Sequence, residues 1–96
     1  MNEGCLEFEW DEEKNNFTKK DRGLSFEGAV VLWSSEKSIK VPARTSGEDR
    51  FAKIGHLFGK LCVCIFTIRE KKIRIINVRR AHPNEEKMYE QRTKKN

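Results

Sequence analysis

Lys71-Lys72-Ile73-Arg74-Ile75-Ile76-Asn77-Val78-Arg79-Arg80 is the stretch that decides the fold. Its β-branched residues favour a strand. Read with a period of two, Ile73, Ile75, Asn77 and Arg79 point one way, and Arg74, Ile76, Val78 and Arg80 point the other. Both faces carry apolar residues, so both are covered over most of the length and the strand belongs inside a sheet. Both faces also end in arginine, which puts two permanent cations on a rigid support, an arrangement suited to a phosphate. Because the two diverge, they meet one phosphate only if the strand ends or bulges there.

Upstream, Leu61 to Ile68 is almost continuously apolar and reads as a central strand. Arg69-Glu70-Lys71-Lys72 has hairpin length, so these two strands run antiparallel. Asp49 to His56 is a further strand, with Phe51 on one face and Ala52 and Ile54 on the other, turning at Phe58-Gly59-Lys60. Ser38 to Val41 is a strand that Pro42 confines to an edge or an end, and Ala43 to Glu48 is a polar loop. Near the start, Leu6, Phe8 and Trp10 alternate with Glu7 and Glu9 in a short strand.

Asp11 N-caps a first helix, with Phe17 as its main apolar anchor and Gly23 as its end. Ser25 caps a second, whose Phe26, Ala29, Val30, Leu32 and Trp33 cover the sheet until Ser34-Ser35. Pro83 opens a C-terminal helix at capping-box spacing between His82 and Glu85, docked by Met88 and Tyr89, with residues 92–96 as a mobile tail. The order β-α-α-β-β-β-β-α over residues 1–96 reads as a single α+β domain. It has an antiparallel sheet of four to five strands, helices packed on one face, and a C-terminal helix.

The 96 residues suffice for one modest core, and the formal charge of +5 favours a polyanionic partner. Three cysteines, Cys5, Cys62 and Cys64, without a secretory leader, point to reduced thiols in the cytoplasm. Cys62 and Cys64 are two apart, not at C-x-x-C spacing, and read as small buried hydrophobes. No stretch approaches the roughly 20 apolar residues that cross a bilayer.

Two histidines and no acidic or Cys/His cluster offer no metal ligand set. A phosphate-binding glycine loop and a serine-nucleophile elbow are also missing, and no cofactor is expected. The chemistry that remains lies in cations on or beside strands: Arg44, Arg50, Arg69, Arg74, Arg79 and Arg80, with Lys14 on the first helix. RNA can be cut without a metal or a protein nucleophile, because its 2′-OH attacks the adjacent phosphate. The protein then aligns that attack, stabilises the phosphorane with fixed cations and assists proton transfer. Glu48 is a candidate proton acceptor, Tyr89 or a lysine a candidate donor, and Trp10 a candidate base-stacking residue. The plainer readings are a Glu48/Arg50 surface ion pair, Arg74 paired with a glutamate, and Trp10 and Trp33 in the core.

The ordered series Phe8-Glu9-Trp10-Asp11, Lys14-Asn15, Gly23-Leu24-Ser25-Phe26-Glu27 with Ala29, Glu48-x-Arg50, Gly55, Ile73-Arg74-Ile75-Ile76, Arg79-Arg80-Ala81 and Glu85 to Tyr89 resembles the BrnT family of bacterial toxins. The resemblance runs from about Leu6 to Gln91. It implies a compact RelE-like ribonuclease fold and a toxin of a type II toxin-antitoxin system that cleaves RNA and arrests translation and growth. It further implies neutralisation by a BrnA-type ribbon-helix-helix antitoxin, through which the complex reaches operator DNA. Carried over by position, the family's charged catalytic candidates fall on Lys14, Glu48, Arg50, Arg69, Arg79 and Arg80; Trp10, Arg74 and Tyr89 are RNA-binding candidates on the reading of the residues themselves. Asp21-Arg22-Gly23 stands where the family commonly has Lys-His-Gly, Ala43 near a commonly acidic position, and Asn77-Val78 in place of Ser-Ala. The alternative reading is a catalytically weakened relative that survives as an antitoxin-binding module and co-repressor.

Overall fold

The structure is a computed structural model and describes residues 6–43 and 49–94. Its centre is a five-stranded sheet in the order β1-β5-β4-β3-β2, formed by β1 (Phe8–Glu9), β2 (Ile39–Ala43), β3 (Arg50–Leu57), β4 (Lys60–Arg69) and β5 (Lys72–Arg80). β2 to β5 form an antiparallel meander with β4 in the middle, as its nearly continuous apolar run requires. β1 adds a parallel pairing, Phe8 opposite Ile73 and Glu9 opposite Arg74, which puts β5 inside the sheet. β2 lies on the other edge, where the missing N–H of Pro42 is tolerated.

Within β5 the structure corrects the strict alternation. The register shifts beside Ile65/Phe66, where Ile75 faces Phe66 and Asn77 already faces Ile65, so Ile76 is an extra residue. The bulge reverses the phase beyond it. Ile73, Ile75 and Val78 are buried on one face, and Asn77 and Arg79 pass to the other, with Arg74 and Ile76. Arg79 and Arg80 still diverge.

Each face has its own core. On the first, α2 (Phe26–Ala29) and the 3₁₀ segment Val30–Ser34 press Phe26, Ala29 and Leu32 onto Cys62, Cys64, Phe66, Ile75 and Val78. The Ser25 hydroxyl caps α2 by accepting from the Gly28 N–H at 2.9 Å. Only four α-helical residues follow before the 3₁₀ turn, and the paired β-branched Val30 and Val31 are poor helix formers at that point. Gly55 is what lets this segment close on the sheet: a Cβ there would lie 2.8 Å from Leu32 Cδ2. Trp10 and Trp33 both pack against this core. Burial pushes the Cys62 thiol up and the Cys64 thiol up to about 12, as fits small hydrophobes rather than nucleophiles.

α1 (Glu12–Arg22) starts at Asp11, whose carboxylate accepts from the Glu13 N–H, and ends at Gly23 in the left-handed region. Its anchor is not Phe17, which is 65% exposed. Asn15, fully buried, takes that role: Oδ1 accepts from the Phe26 N–H at 2.9 Å, while Nδ2 donates to Glu27 at 3.0 Å and to Glu12 at 3.2 Å. A buried amide with every strong partner met joins two helices as specifically as an apolar knob, and it leaves the phenyl ring outside.

On the second face, α3 (Pro83–Thr93) lays Tyr89 and Met88 over Val41, Ala52, Ile54 and Val63. That helix covers only part of the face. No helix among the described residues is long and apolar enough to cross a membrane.

Candidate RNA-binding and cleavage face

The half of the second face that α3 leaves uncovered collects the cations. Thr67 lies on it opposite Arg74, which in turn lies opposite Glu9. Arg50 occupies the next rung of β3 after the Phe51/Phe66 pair, on the other side of Thr67. With strands about 4.8 Å apart, the Arg50 and Arg74 backbones stand about 10 Å from each other across β4. Arg69, two residues beyond Thr67, continues the same face. The Thr67 hydroxyl, nearly buried in this polar row, donates to the Asp49 carbonyl at 2.6 Å and so ties the start of β3 to β4 beside Arg50.

α1 forms the opposite wall. Between it and the sheet lies a hollow of about 490 Å³ lined by Lys14, Phe17, Arg22, Arg50, Ile76 and Asn77, with Ile65, Thr18, Asp11 and Glu13 completing it. Arg22 Nη1 donates to Asn77 Oδ1 at 2.8 Å and to the Val78 carbonyl at 3.1 Å, which fastens the end of α1 to the strand just after the bulge. The result is an apolar floor with a charged rim and three cationic side chains.

The sequence candidates therefore separate. Lys14, Arg50, Arg69 and Arg74 come to this uncovered half. Arg74 lies 3.5 Å from the Glu9 carboxylate. Arg79 sits at the boundary with α3, in a two-pronged pair with Glu85 at 2.9 and 2.8 Å. Arg80 goes elsewhere, to a second hollow of about 410 Å³ shared with His56, Lys60, Glu86, Tyr89 and Glu90. The Tyr89 ring is buried, edge-on to His56 at 5.6 Å, and its hydroxyl donates to the Lys37 carbonyl at 2.9 Å. Trp10 packs edge-on to Phe26, and its indole N–H donates to Glu12 at 3.0 Å. Glu48 and Arg44 lie outside the described residues.

Arg22, Thr67 and Phe17 did not stand out in the sequence as parts of this face. The only signal for Thr67 is one hydroxyl inside the apolar run Leu61 to Ile68. Arg22 entered the sequence reading only as part of Asp21-Arg22-Gly23, where the family commonly has Lys-His-Gly, and its place in the last turn of α1 suits the helix macrodipole without pointing to this face. Among the described residues, no three His, Cys, Asp or Glu side chains are grouped so as to hold a metal ion.

Compared with known proteins, residues 10–85 match the family described as "Ribonuclease toxin, BrnT, of type II toxin-antitoxin system". A search of curated proteins gives no match. The family match takes in α1, the bulged β5 and both arginine-bearing strand ends, and stops at the Glu85 that grips Arg79. The chain belongs to the BrnT family of ribonuclease toxins of type II toxin-antitoxin systems.

Proposed function

We propose that this toxin is a metal-independent endoribonuclease whose cleavage centre is the uncovered half of the second sheet face, and that a BrnA-like ribbon-helix-helix antitoxin neutralises it in the cytoplasm. The supporting observation is the row Arg50-Thr67-Arg74 on one face, of which Arg50 lines the same hollow as Lys14. In the reaction the ribose 2′-OH loses its proton, O2′ bonds to the adjacent phosphorus, and the P–O5′ bond breaks as O5′ takes up a proton. The products are a 2′,3′-cyclic phosphate and a 5′-hydroxyl. Arg50, with Arg69 and Arg74 beside it, meets the developing phosphorane charge, since guanidinium is permanently ionised and forked to match phosphate oxygens. Lys14 faces the same charge from α1. Glu48, two residues before Arg50, is the proposed proton acceptor. Arg79 acts as a positioning residue, committed through Glu85 to the placement of α3.

The ion pairs Arg74–Glu9 and Arg79–Glu85 favour the second reading, a non-catalytic antitoxin-binding module, because each removes a guanidinium from the set available to RNA. Purified protein incubated with RNA in a chelator separates the two. The enzyme reading expects cleavage, and Arg50→Ala should lower the rate about 10²- to 10³-fold with an unchanged unfolding transition. Intact RNA with the parent protein, or undiminished cleavage by Arg50→Ala, overturns this assignment.

A further inference from the structure

Among the described residues two phenylalanine rings stand largely in solvent, Phe58 in the β3–β4 turn and Phe17. Phe17 occupies the middle of α1, where an amphipathic helix would turn its one aromatic ring inward, and it is 65% exposed. Asn15 and Thr18 make the buried contacts instead. The ring is displayed on the wall of the hollow, above a floor that includes half-buried Ile65 and Ile76. Around it stand Lys14, Arg22 and Arg50.

An aromatic face bordered by cations is the combination that holds single-stranded nucleic acid, where bases stack on rings and the backbone follows the charge. A paired base has both of its π-faces covered by its neighbours, so only an unpaired one can use such a ring. Asp11 and Glu13 on the same rim oppose an acidic protein segment as much as they oppose phosphate, but they leave a neutral base unhindered.

We propose that Phe17 is a stacking platform for one unpaired nucleobase, so that the substrate class is single-stranded RNA whose backbone is held by Lys14 and Arg50. The inference rests on the hollow being the RNA site. Phe17 is then a positioning residue: it places the strand and takes no part in proton transfer.

The test is binding of a fully 2′-O-methylated single-stranded oligoribonucleotide, which cannot be cut because the attacking hydroxyl is blocked, and of the same strand made abasic. Stacking is expected to show as roughly tenfold or greater loss of affinity for the intact strand in Phe17→Ala, nearly full affinity in Phe17→Tyr, and little change for the abasic strand. Equal affinities of Phe17→Ala and the parent for the intact strand overturn the stacking role. So does an equal loss on both strands, or a loss confined to antitoxin binding. Lys14→Ala/Arg50→Ala supplies the separate arm: if it binds the intact strand as tightly as the parent, the hollow is not the RNA site, and the stacking proposal falls with it. A loss in that variant together with none in Phe17→Ala sinks the stacking alone.

Discussion

Arg79 and Glu85 face each other through two parallel hydrogen bonds, Nη1 to Oε1 at 2.9 Å and Nη2 to Oε2 at 2.8 Å, which join the end of β5 to the first turn of α3. Glu85 also accepts from the His82 N–H at 2.7 Å. The Arg79 guanidinium holds the Glu85 carboxyl well below its ordinary value of 4.5, at about 2. A carboxyl depressed on folding stabilises the native state above its unfolded pKa, and that contribution is lost as pH falls through the folded value. The unfolding midpoint of the parent should therefore drop between about pH 4.5 and 2 through this group. Glu85→Gln should be less stable at pH 7 by about 2 kcal/mol and should lack that part of the acid limb. Superimposable acid limbs in the two proteins would show that the pair contributes nothing.

Asn15 makes the opposite kind of contribution, a neutral one. Asn15→Ala leaves the buried Phe26 N–H without its side-chain acceptor, at a cost of about 1–3 kcal/mol in chemical denaturation. Asn15→Asp keeps the acceptor but sets a carboxylate against Glu12 and Glu27, so it should be destabilised at pH 7 and recover on mild acidification. Phe17→Ala, on the exposed side of the same helix, should stay within about 0.5 kcal/mol of the parent. A larger loss for Phe17 than for Asn15 would reverse the account of how α1 is anchored.

The β4–β5 turn stores backbone strain. Glu70 and Lys71 have φ of 50° and 70°, both in the left-handed region, in a two-residue turn that favours Asn-Gly. The neighbouring β3–β4 turn has the same shape at Phe58 and Gly59 but already uses glycine in its second position, at φ 82°. Glu70→Asn/Lys71→Gly should raise stability by about 1–2 kcal/mol, a Tm increase of roughly 5–15 °C for a domain of this size. No increase in a thermal scan would mean that the side chains of Glu70 and Lys71 already offset the strain.

How far the chain could be read before its structure follows from the same residues. The central place of β4 was legible from its continuous apolar run, whereas Pro42 narrowed β2 only to an edge or a strand end and the strand number stayed at four to five until β1 was seen to pair with β5. The bulge was harder. Its trace is the step of three from Ile75 to Val78 among residues otherwise spaced by two, which a strand apolar on both faces disguises. Asn15 was illegible because a search for apolar anchors passes over a buried amide and stops at Phe17. The candidate arginines were legible as a class, but their division between two hollows was not, since it depends on where α3 lies and on which of them meets Glu85 or Glu9.

That division makes a quantitative claim about salt. The logarithm of affinity for single-stranded nucleic acid falls with the logarithm of salt concentration, with a slope of about −0.7 per phosphate neutralised. If the strand lies on the uncovered half of the second face, Arg50→Ala and Arg69→Ala should each flatten the slope by about 0.7, measured with a 2′-O-methylated strand. Arg80 lines the other hollow with Lys60 and His56, so Arg80→Ala should leave the slope unchanged. Arg79→Ala is a poor control, because it uncovers the Glu85 carboxylate and adds repulsion of its own. A flattening by Arg80→Ala equal to that of Arg50→Ala would put phosphates at both ends of the sheet and remove the reason for assigning the strand to one.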